Sequence, residues 1–317
     1  MDYIKLGLTD LRVSKIGFGC APMGGYDYGK VIDDESIKAV RKALDMGINF
    51  FDTGDIYGFG HAEEVLSGAL GNDRHKVVIA TKFGLVWDSE GNVTRDCSAK
   101  RVVAALEASL RRLKIDAISL YKAHWIDSVT PIEETVGALL KCQQEGKVRY
   151  IGFSNVDRTL IEKAQKIGRI DSIQSSYNLL NRVAEREILA YCHASNIAFI
   201  AHSPLARGYL TGKYDAGQSF TGTDTRCKST YFSMKMSDEK EQMLEEIHRI
   251  GIQYGRTSTQ VALRWIIDNP LITALVMGVK KMNQLEEGVA SLDWRLNPVD
   301  YDSLSMRSEV FANAGLY

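Results

Sequence analysis

The chain has 317 residues, of which 45% are hydrophobic and 25% are charged. This balance is typical of a globular protein with a large buried core, and it excludes a disordered or collagen-like chain. Lys and Arg number 39 against 40 Asp and Glu, so the formal net charge is -1, and the sequence lacks the long runs of one charge that bind nucleic acid or anionic membranes. We therefore expect neither a nucleic-acid partner nor a membrane partner.

The apolar runs of the sequence indicate its cellular location, and the spacing of its cysteines and histidines indicates whether it binds a metal. No stretch reaches the roughly 18 apolar residues of a membrane-spanning helix, and the first residues lack the apolar core of a secretory signal, so we expect a cytoplasmic protein. The five cysteines are odd in number and form no Cys-x-x-Cys pair, which predicts free thiols rather than disulfides or a zinc site. The six histidines form no metal-binding motif, and we expect no metal.

The first predicted element is a hairpin over residues 3–16, which we expect to close one end of the fold. After it, short runs of β-branched and apolar residues alternate with longer segments of helical period. The predicted strand and helix pairs are residues 16–19 with 33–46, 49–52 with 62–70, 77–82 with 98–113, 117–122 with 132–144, 150–153 with 158–166, and 172–174 with 185–193. A seventh strand is predicted at residues 198–202 and an eighth at 273–277.

The number of these units decides the fold class. Eight strands with helices between them predict an α/β protein, a closed parallel (β/α)8 TIM barrel with an N-terminal β-hairpin, because closure removes the two exposed edges of an open sheet. No internal repeat or linker composition divides the sequence, so we interpret residues 1–317 as a single domain. The segment 207–237 is predicted to be a mobile loop over the barrel mouth, followed by a helix over 238–251.

Four side chains with acid–base chemistry lie at or just after consecutive predicted strands. Asp52 ends the second strand and Tyr57 lies in the loop after it. Lys82 ends the third strand, and His124 follows the fourth. Because the carboxyl ends of the strands of a parallel barrel meet on one face, where reactive groups lie, we expect these four side chains to meet on one rim.

Such a set can act as a proton donor to a carbonyl oxygen. The ordinary pKa of tyrosine, about 10, is too high for ready proton exchange near neutrality, and an adjacent ammonium such as Lys82 lowers it. Asp52 would keep Lys82 charged, and His124 could donate a hydrogen bond to the same substrate oxygen. Taken alone, each residue also has a structural interpretation. Asp52 could be a helix or turn cap and Tyr57 a half-buried loop tyrosine. Lys82 could be a solvated lysine and His124 a buried core histidine.

Longer motifs in the sequence resemble those of the aldo-keto reductases. They are Asp52-Thr53-Gly54-Asp55-Ile56-Tyr57-Gly58, Thr81-Lys82-Phe83-Gly84, His124-Trp125-Ile126-Asp127, residues 146–155, Gln174-Ser175-Ser176-Tyr177-Asn178, Ser203-Pro204-Leu205, and Gly278-Val279-Lys280-Lys281 with Gln284 and Glu287. The resemblance implies a (β/α)8 barrel and an enzyme that reduces carbonyl compounds or oxidises the matching alcohol or sugar. It places Asp52, Tyr57, Lys82 and His124 at the four catalytic positions of the family.

The resemblance also implies a nicotinamide cofactor in the barrel mouth, and the sequence has no complete Gly-x-Gly-x-x-Gly motif. Ser154, Asn155 and Gln174 look like the groups that hold the carboxamide. Lys280 lies where related reductases bind the 2′-phosphate, for which a lysine is suited, whereas NAD sites typically have a carboxylate there. The expected cofactor is therefore NADP (NADPH), with NAD as the alternative. The other residues assigned to the cofactor are His202, Ser203, Pro204, Leu205, Ala206, Arg207, Lys213, Arg226, Gly278, Gln284 and Glu287.

Three positions depart from the family pattern. His202 stands where an aromatic residue usually stacks on the nicotinamide, and its smaller ring predicts looser stacking. Gly288 stands where many members have an asparagine on the adenine, which predicts weaker adenine binding. Gly54 replaces a more usual alanine, and we expect this change to be nearly neutral.

The expected partner is a small-molecule carbonyl compound or sugar. Tyr26, Trp87 and Trp125 follow the first, third and fourth strands and are predicted to wall an apolar or sugar-stacking pocket, although loop aromatics also pack a rim without binding anything. The sequence makes no prediction of the oligomeric state.

Two other classes of function stay open. A nicotinamide-binding regulatory subunit resembling the potassium-channel β subunits would keep the barrel but act through partners, and no additional interaction segment favours it. A barrel lyase or isomerase would use Lys82 as a Schiff-base nucleophile. Oxidation of reduced nicotinamide by aldehydes would separate the three classes.

Overall fold

The computed structural model describes residues 1–25, 31–215, 217–220 and 224–313. In chain order its elements begin with β1 (Tyr3–Lys5), β2 (Arg12–Ser14), β3 (Ile16–Gly19), α1 (Asp33–Asp45), β4 (Phe50–Asp52), α2 (His61–Leu70), β5 (Val78–Phe83), β6 (Leu85–Trp87), β7 (Val93–Arg95), α3 (Ala99–Leu113), β8 (Ile118–Ala123) and α4 (Ile132–Gln144). They continue with β9 (Val148–Ser154), α5 (Arg158–Gln165), β10 (Ser172–Ser176), α6 (Ala184–Ala194), β11 (Ala198–His202), α7 (Ser237–Tyr254), α8 (Ser258–Asp268), β12 (Ala274–Gly278), α9 (Met282–Val289) and α10 (Pro298–Ser308).

Eight of these strands close into a parallel barrel, which confirms the predicted fold class. Their order around the barrel is β3, β4, β5, β8, β9, β10, β11, β12, and β12 pairs back to β3. Closure gives each of the eight strands two hydrogen-bonded neighbours, so the barrel has no open edge. Among the described helices, none is long and apolar enough to cross a membrane.

Local chemistry sets the helix ends. The Ser98 side chain accepts a hydrogen bond from the backbone N–H of Arg101 at the start of α3, and Thr257 and Gln260 form a capping box at the start of α8. Helix α7 ends at Gly255, whose φ of +63° is a left-handed conformation that glycine adopts without strain. This helix therefore runs to Tyr254 rather than to residue 251.

The hairpin formed by β1 and β2 closes the amino-terminal end of the barrel. Leu6, Leu11 and Val13 are buried with interior side chains such as Phe50 and Leu120 in one apolar cluster. Each fully buried aliphatic side chain contributes about 1.5–3 kcal/mol to stability. Because this end is plugged, the polar side chains inside the barrel lie toward the carboxyl ends of the strands.

The structure contains a second hairpin that the sequence analysis does not predict. Strands β6 and β7 pair antiparallel over residues 85–95, and three-residue strands are too short for periodicity to reveal. The turn does leave a signal, because Asp88 accepts hydrogen bonds from the backbone N–H groups of Glu90 and Asn92. This hairpin stands directly after β5, beside the barrel mouth.

The segment 207–237 is not a loop without structure. It contains short 3-10 helices at Ala206–Thr211, Thr225–Lys228 and Thr230–Phe232. Phe232 is buried, and its ring centroid lies 4.7 Å from that of Phe220. Both residues lie in this segment and pack with the main buried apolar cluster of the barrel, so apolar contacts hold part of the segment in place. The mobility of the segment stays a prediction.

We expect the substitution Leu6→Ala to lower the free energy of unfolding by about 2–5 kcal/mol, because it opens a cavity in the barrel plug. Leu8→Ala in the same hairpin is the matched control, since Leu8 is 55% exposed, and it should change stability by no more than about 0.5 kcal/mol. Urea unfolding of both variants measures the difference. Equal losses would contradict the role of the plug.

Candidate active site

Three neighbouring barrel strands bring the four sequence-predicted side chains to one end of the barrel. Asp52 is the last residue of β4, Lys82 lies in β5, and His124 directly follows β8. Tyr57 lies in the turn between β4 and α2. All four residues line a single cavity of about 560 Å³.

The Asp52 carboxylate accepts hydrogen bonds from three buried side chains. Its side chain is 4% exposed, and Oδ1 accepts a hydrogen bond from Lys82 Nζ at 2.5 Å. Oδ2 accepts from Lys122 Nζ and from Gln174 Nε2, the latter at 3.2 Å. Burial alone would raise the pKa of Asp52, but the ammonium groups of Lys122 and Lys82 hold it well below its usual range. Asp52 is therefore a permanent buried anion.

Lys82 connects this anion to the phenol. It is 2% exposed, so it is not a solvated lysine. Besides Asp52, its Nζ donates to the carbonyl of Thr53 at 2.7 Å and to Tyr57 Oη at 3.2 Å. Burial lowers the pKa of Lys82, but Asp52 and Tyr57 raise it above its ordinary value. A charged ammonium thus lies against the tyrosine hydroxyl, where it favours the phenolate.

Close backbone packing fixes the turn that carries Tyr57. Gly58 has a φ of +61°, and a Cβ there would lie 2.8 Å from Gly24 Cα, so only glycine fits. Asp55, buried in the same turn, accepts a hydrogen bond from Arg101 at 2.7 Å. Arg101 also donates to the carbonyl of Leu85 and thereby ties the turn to the β6–β7 hairpin.

His124 is a neutral imidazole beside the phenol. Its ring meets that of Tyr57 edge to face, with centroids 5.7 Å apart. Burial and the nearby Lys82 charge lower the pKa of His124 well below its ordinary value. Within the described residues, Nδ1 is buried and has no hydrogen-bond partner. A neutral imidazole can still donate one hydrogen bond to a ligand.

The residues that the resemblance assigns to the carboxamide are hydrogen-bonded to one another. Ser154 Oγ donates to the carbonyl of Gln174 at 3.0 Å, and Asn155 Nδ2 donates to the carbonyl of His124 at 3.1 Å. His202 Nε2 lies 3.0 Å from Asn155 Oδ1. Burial and Lys82 lower the pKa of His202 to about 3, so this imidazole is also neutral. The predicted stacking of His202 on a nicotinamide ring stays a prediction.

Several basic side chains line the part of the cavity formed after β11 and β12. They include Arg207, Lys213 and Lys280. Arg226 also lines the cavity, but its guanidinium is held by Asp224 at 2.6 Å and by Tyr214 Oη at 3.0 Å. An ion pair therefore offsets much of the charge of Arg226.

Nearly every residue that the resemblance assigns to the cofactor lines this cavity; the exception is Ala206, which is fully buried in the core with a φ of +49°. Gln284 lines the cavity, but its Oε1 accepts from the backbone N–H groups of Lys280 and Lys281, which commits that oxygen to the start of α9. Glu287 and Gly278 lie in the lining as expected.

Gly288 faces a neighbouring side chain at close range. A Cβ at this position would lie 2.5 Å from the sulfur of Met277, which itself lines the cavity. The glycine thus leaves room for a thioether in the cavity wall.

The aromatic residues predicted to wall the substrate pocket do not all line the cavity. Trp125 lines the cavity, whereas Trp87 does not: its ring packs against Phe59 at 5.4 Å and lies beside the Arg101 guanidinium. The assignment of Trp87 to a substrate pocket therefore stays a prediction. Tyr26 lies outside the described residues. Apolar side chains complete this part of the lining, namely Ile56, Phe59, Leu85 and Val93.

Sequence reasoning also misses Lys122. It is the fifth residue of β8 and fully buried, although lysine is rarely buried without a partner. A lone lysine in the apolar run Ile-Ser-Leu-Tyr-Lys-Ala was the available signal. Only the register of β8 with β5, which pairs Lys82 with Lys122, shows that both lysines reach Asp52.

Comparison with known proteins identifies the family. The sequence model described as "Aldo/keto reductase family" matches residues 15–306. "Aldo-keto reductase YhdN" of Bacillus subtilis (strain 168) is 33% identical over 308 residues, which cover 96% of this chain and 93% of that protein. "NADH-specific methylglyoxal reductase" of Escherichia coli (strain K12) is 33% identical over 323 residues, covering 97% and 98%.

A solved structure agrees with these sequence matches. The glycerol dehydrogenase AKR11B4 from Gluconobacter oxydans superposes with a TM-score of 0.89 at 30% identity, covering 100% of this chain and 97% of that one. The chain therefore belongs to the aldo/keto reductase family, a family of carbonyl oxidoreductases that use nicotinamide cofactors.

Proposed function

We propose that the protein is an NADP-dependent oxidoreductase that reduces an aldehyde or ketone, or oxidises the matching alcohol or sugar, with Tyr57 as general acid and base. The observation that carries the proposal is the buried chain of contacts from Asp52 through Lys82 to Tyr57 Oη at the cavity wall. It combines a transferable proton with a charge that stabilises the phenolate.

The side chains of the cavity fit a nicotinamide dinucleotide. Amide and hydroxyl groups of Ser154, Asn155 and Gln174 suit a carboxamide, and basic residues such as Arg207 and Lys280 suit phosphates. When bound, the reduced nicotinamide supplies the hydride for the carbonyl carbon.

The protein side chains manage the proton. In reduction, the Tyr57 phenol donates its proton to the carbonyl oxygen, and the Lys82 ammonium stabilises the phenolate left behind. Asp52 keeps Lys82 charged. The neutral imidazole of His124 can donate a hydrogen bond that orients the carbonyl. In the reverse direction, the phenolate accepts the proton of the alcohol.

Lys280 is the residue proposed to select NADP. It lines the cavity, and burial together with the nearby charge of Arg226 lowers its pKa. A charge-assisted hydrogen bond to a 2′-phosphate distinguishes NADP from NAD. One relative is named as NADH-specific, so a test must measure both cofactors.

The cavity wall around Tyr57 supports an uncharged substrate. Ile56, Phe59, Leu85, Val93 and Trp125 contribute apolar surface there. Apolar walls favour carbonyl compounds without a carboxylate or phosphate, because burying an unpaired charge is costly. A panel of aldehydes, ketones and sugars, followed at the absorbance band of reduced nicotinamide, tests both the activity and this preference.

We expect Tyr57→Phe to lower turnover by about 100-fold or more, as is typical for loss of a positioned proton donor, while cofactor affinity stays nearly unchanged. Tyr3→Phe is the matched control, because the Tyr3 hydroxyl bonds the carbonyl of Gly47 near the hairpin at the other end of the barrel. Steady-state kinetics and cofactor titration measure the two effects. Full turnover in Tyr57→Phe would refute the assignment.

We expect Lys280→Met to weaken NADPH binding by about tenfold or more and to leave NADH binding little changed, since a hydrogen bond to a charged group contributes about 1.5–3 kcal/mol. Lys281→Met is the control, because Lys281 is exposed and does not line the cavity. Quenching of tryptophan fluorescence gives the dissociation constants. Equal weakening of both cofactors would show that Lys280 does not recognise the 2′-phosphate.

A further inference from the structure

Lys122 is a second buried lysine beside Asp52, and the proposed proton transfer does not use it. Its side chain is fully buried inside the barrel. Its Nζ donates to Asp52 Oδ2 and, at 2.9 Å, to Gln174 Oε1. Lys122 therefore joins the anion that serves Tyr57 to a residue proposed to hold the cofactor.

The neighbouring strand makes room for this lysine. Gly152 of β9 pairs with Lys122, and a Cβ on Gly152 would lie 3.0 Å from Lys122 Cγ and 2.9 Å from the carbonyl oxygen of Ser172. A larger residue at 152 would push against the lysine stem. Gly152 thus leaves space for both Ser172 and the Lys122 stem.

Lys122 also fixes the direction of the Gln174 amide. Gln174 Oε1 accepts from Lys122, while Nε2 donates to Asp52 Oδ2 at 3.2 Å. Rotating the amide by half a turn would put its NH2 group against an ammonium and its oxygen against a carboxylate, and both contacts would be repulsive. Because Gln174 lines the cavity, its orientation matters for any ligand that it contacts.

We propose that Lys122 is a positioning residue for the reaction: it shares the Asp52 carboxylate with Lys82, leaving more of the Lys82 charge to act on Tyr57, and it fixes the orientation of the Gln174 amide in the cavity wall. This inference rests on the proposed function. It assigns Lys122 no contact with substrate, and its effect on catalysis passes through Asp52, Lys82 and Gln174.

The charge of Lys122 should depend on pH near neutrality. Burial lowers the pKa of Lys122 to about 7, since the attraction of Asp52 only partly offsets burial and the repulsion from Lys82. The ammonium is therefore present below about pH 7 and lost above it. The titratable groups that face this cluster from the surrounding strands and loops are Asp52, Tyr57, Lys82, His124 and His202.

The sign of the effect follows from the charges. With both lysines charged, the two lysines and Asp52 carry a net charge of one positive unit beside Tyr57, and loss of the Lys122 proton reduces it to zero. A positive charge makes the phenol a better proton donor. The charge of Lys122 should therefore raise the rate of carbonyl reduction at low pH, and this increase should disappear as pH rises.

The test compares wild type with Lys122→Met, which removes the charge and keeps a side chain of similar length. We expect the ratio of wild-type to variant single-turnover reduction rates to be about fivefold or more larger near pH 6 than near pH 9, because a nearby charge shifts an acid by about one pKa unit or more. A merely structural role for Lys122 would lower the rate by a factor independent of pH.

Two further variants sharpen the comparison. Lys122→Gln can still bond Asp52 and Gln174, so it should recover cofactor affinity lost in Lys122→Met while showing the same altered pH profile. Lys15→Met is the matched control: Lys15 donates to the carbonyl of Ile272 at the amino-terminal end of the barrel, and burial lowers its pKa to about 8. This control should keep the wild-type pH profile.

A measurement without turnover uses protein labelled with ¹³C at the lysine Cε. In the cofactor-free protein, one Cε resonance should titrate near pH 7, be missing in Lys122→Met or Lys122→Gln, and persist in Lys15→Met. If the Lys122 variants fail to fold, the spectrum of Lys15→Met still decides. It lacks the Lys15 resonance, so the absence of any lysine titrating between about pH 6 and 8 in that spectrum would overturn the inference.

The outcomes separate the two proposals. Normal wild-type turnover with a pH-independent rate ratio would overturn the role of Lys122 alone. A wild-type protein that oxidises no reduced nicotinamide with any carbonyl compound would overturn the proposed function, and with it the role of Lys122 in the reaction.

Discussion

A carboxylate buried inside a barrel needs positive partners, and Asp52 has two. Lys82 and Lys122 come from neighbouring strands in register, and both ammonium groups donate to it. Removing one partner of a buried ion pair typically costs about 3–5 kcal/mol, because the remaining charge is left without compensation. The cluster therefore ties the alignment of β4, β5 and β8 to the charge beside Tyr57, so that the fold and the proposed proton chemistry depend on the same contacts.

Features that depend on one segment of the sequence were predictable, whereas contacts between distant segments were not. Buried parallel strands appear as short apolar runs between helical segments, so the barrel was predictable, as was the position of Asp52 and Lys82 at strand ends. The contact of Lys122 with Asp52 was not, because it joins residues 70 positions apart through strand register. The packing of Trp87 on Phe59 was not predictable for a related reason, since it joins β6 to the turn that carries Tyr57.

Four non-glycine residues with strained backbone lie in the segments that follow β9 and β11 at the cavity. Ser203, Ala206 and Arg207 all have positive φ, as does Asn155 beside His202. Such non-glycine conformations cost about 1–3 kcal/mol each and persist where packing enforces them, often at functional sites. The burial of Ala206 shows how this happens here: the residue anchors the segment in the core while its neighbour Arg207 faces the cavity. Its contribution to the site is thus structural support for the residues on either side.

The central claim is that Asp52 acts on the reaction through Lys82. A double-mutant cycle of Asp52→Asn and Lys82→Met, measured on the single-turnover rate of carbonyl reduction, tests this most directly. If the claim holds, the double variant reacts about as slowly as Lys82→Met alone, because the contacts that lead from Asp52 to Tyr57 pass through Lys82. If the rate loss of the double variant instead equals the product of the two single-variant rate losses, the residues act independently, and this result would contradict the account.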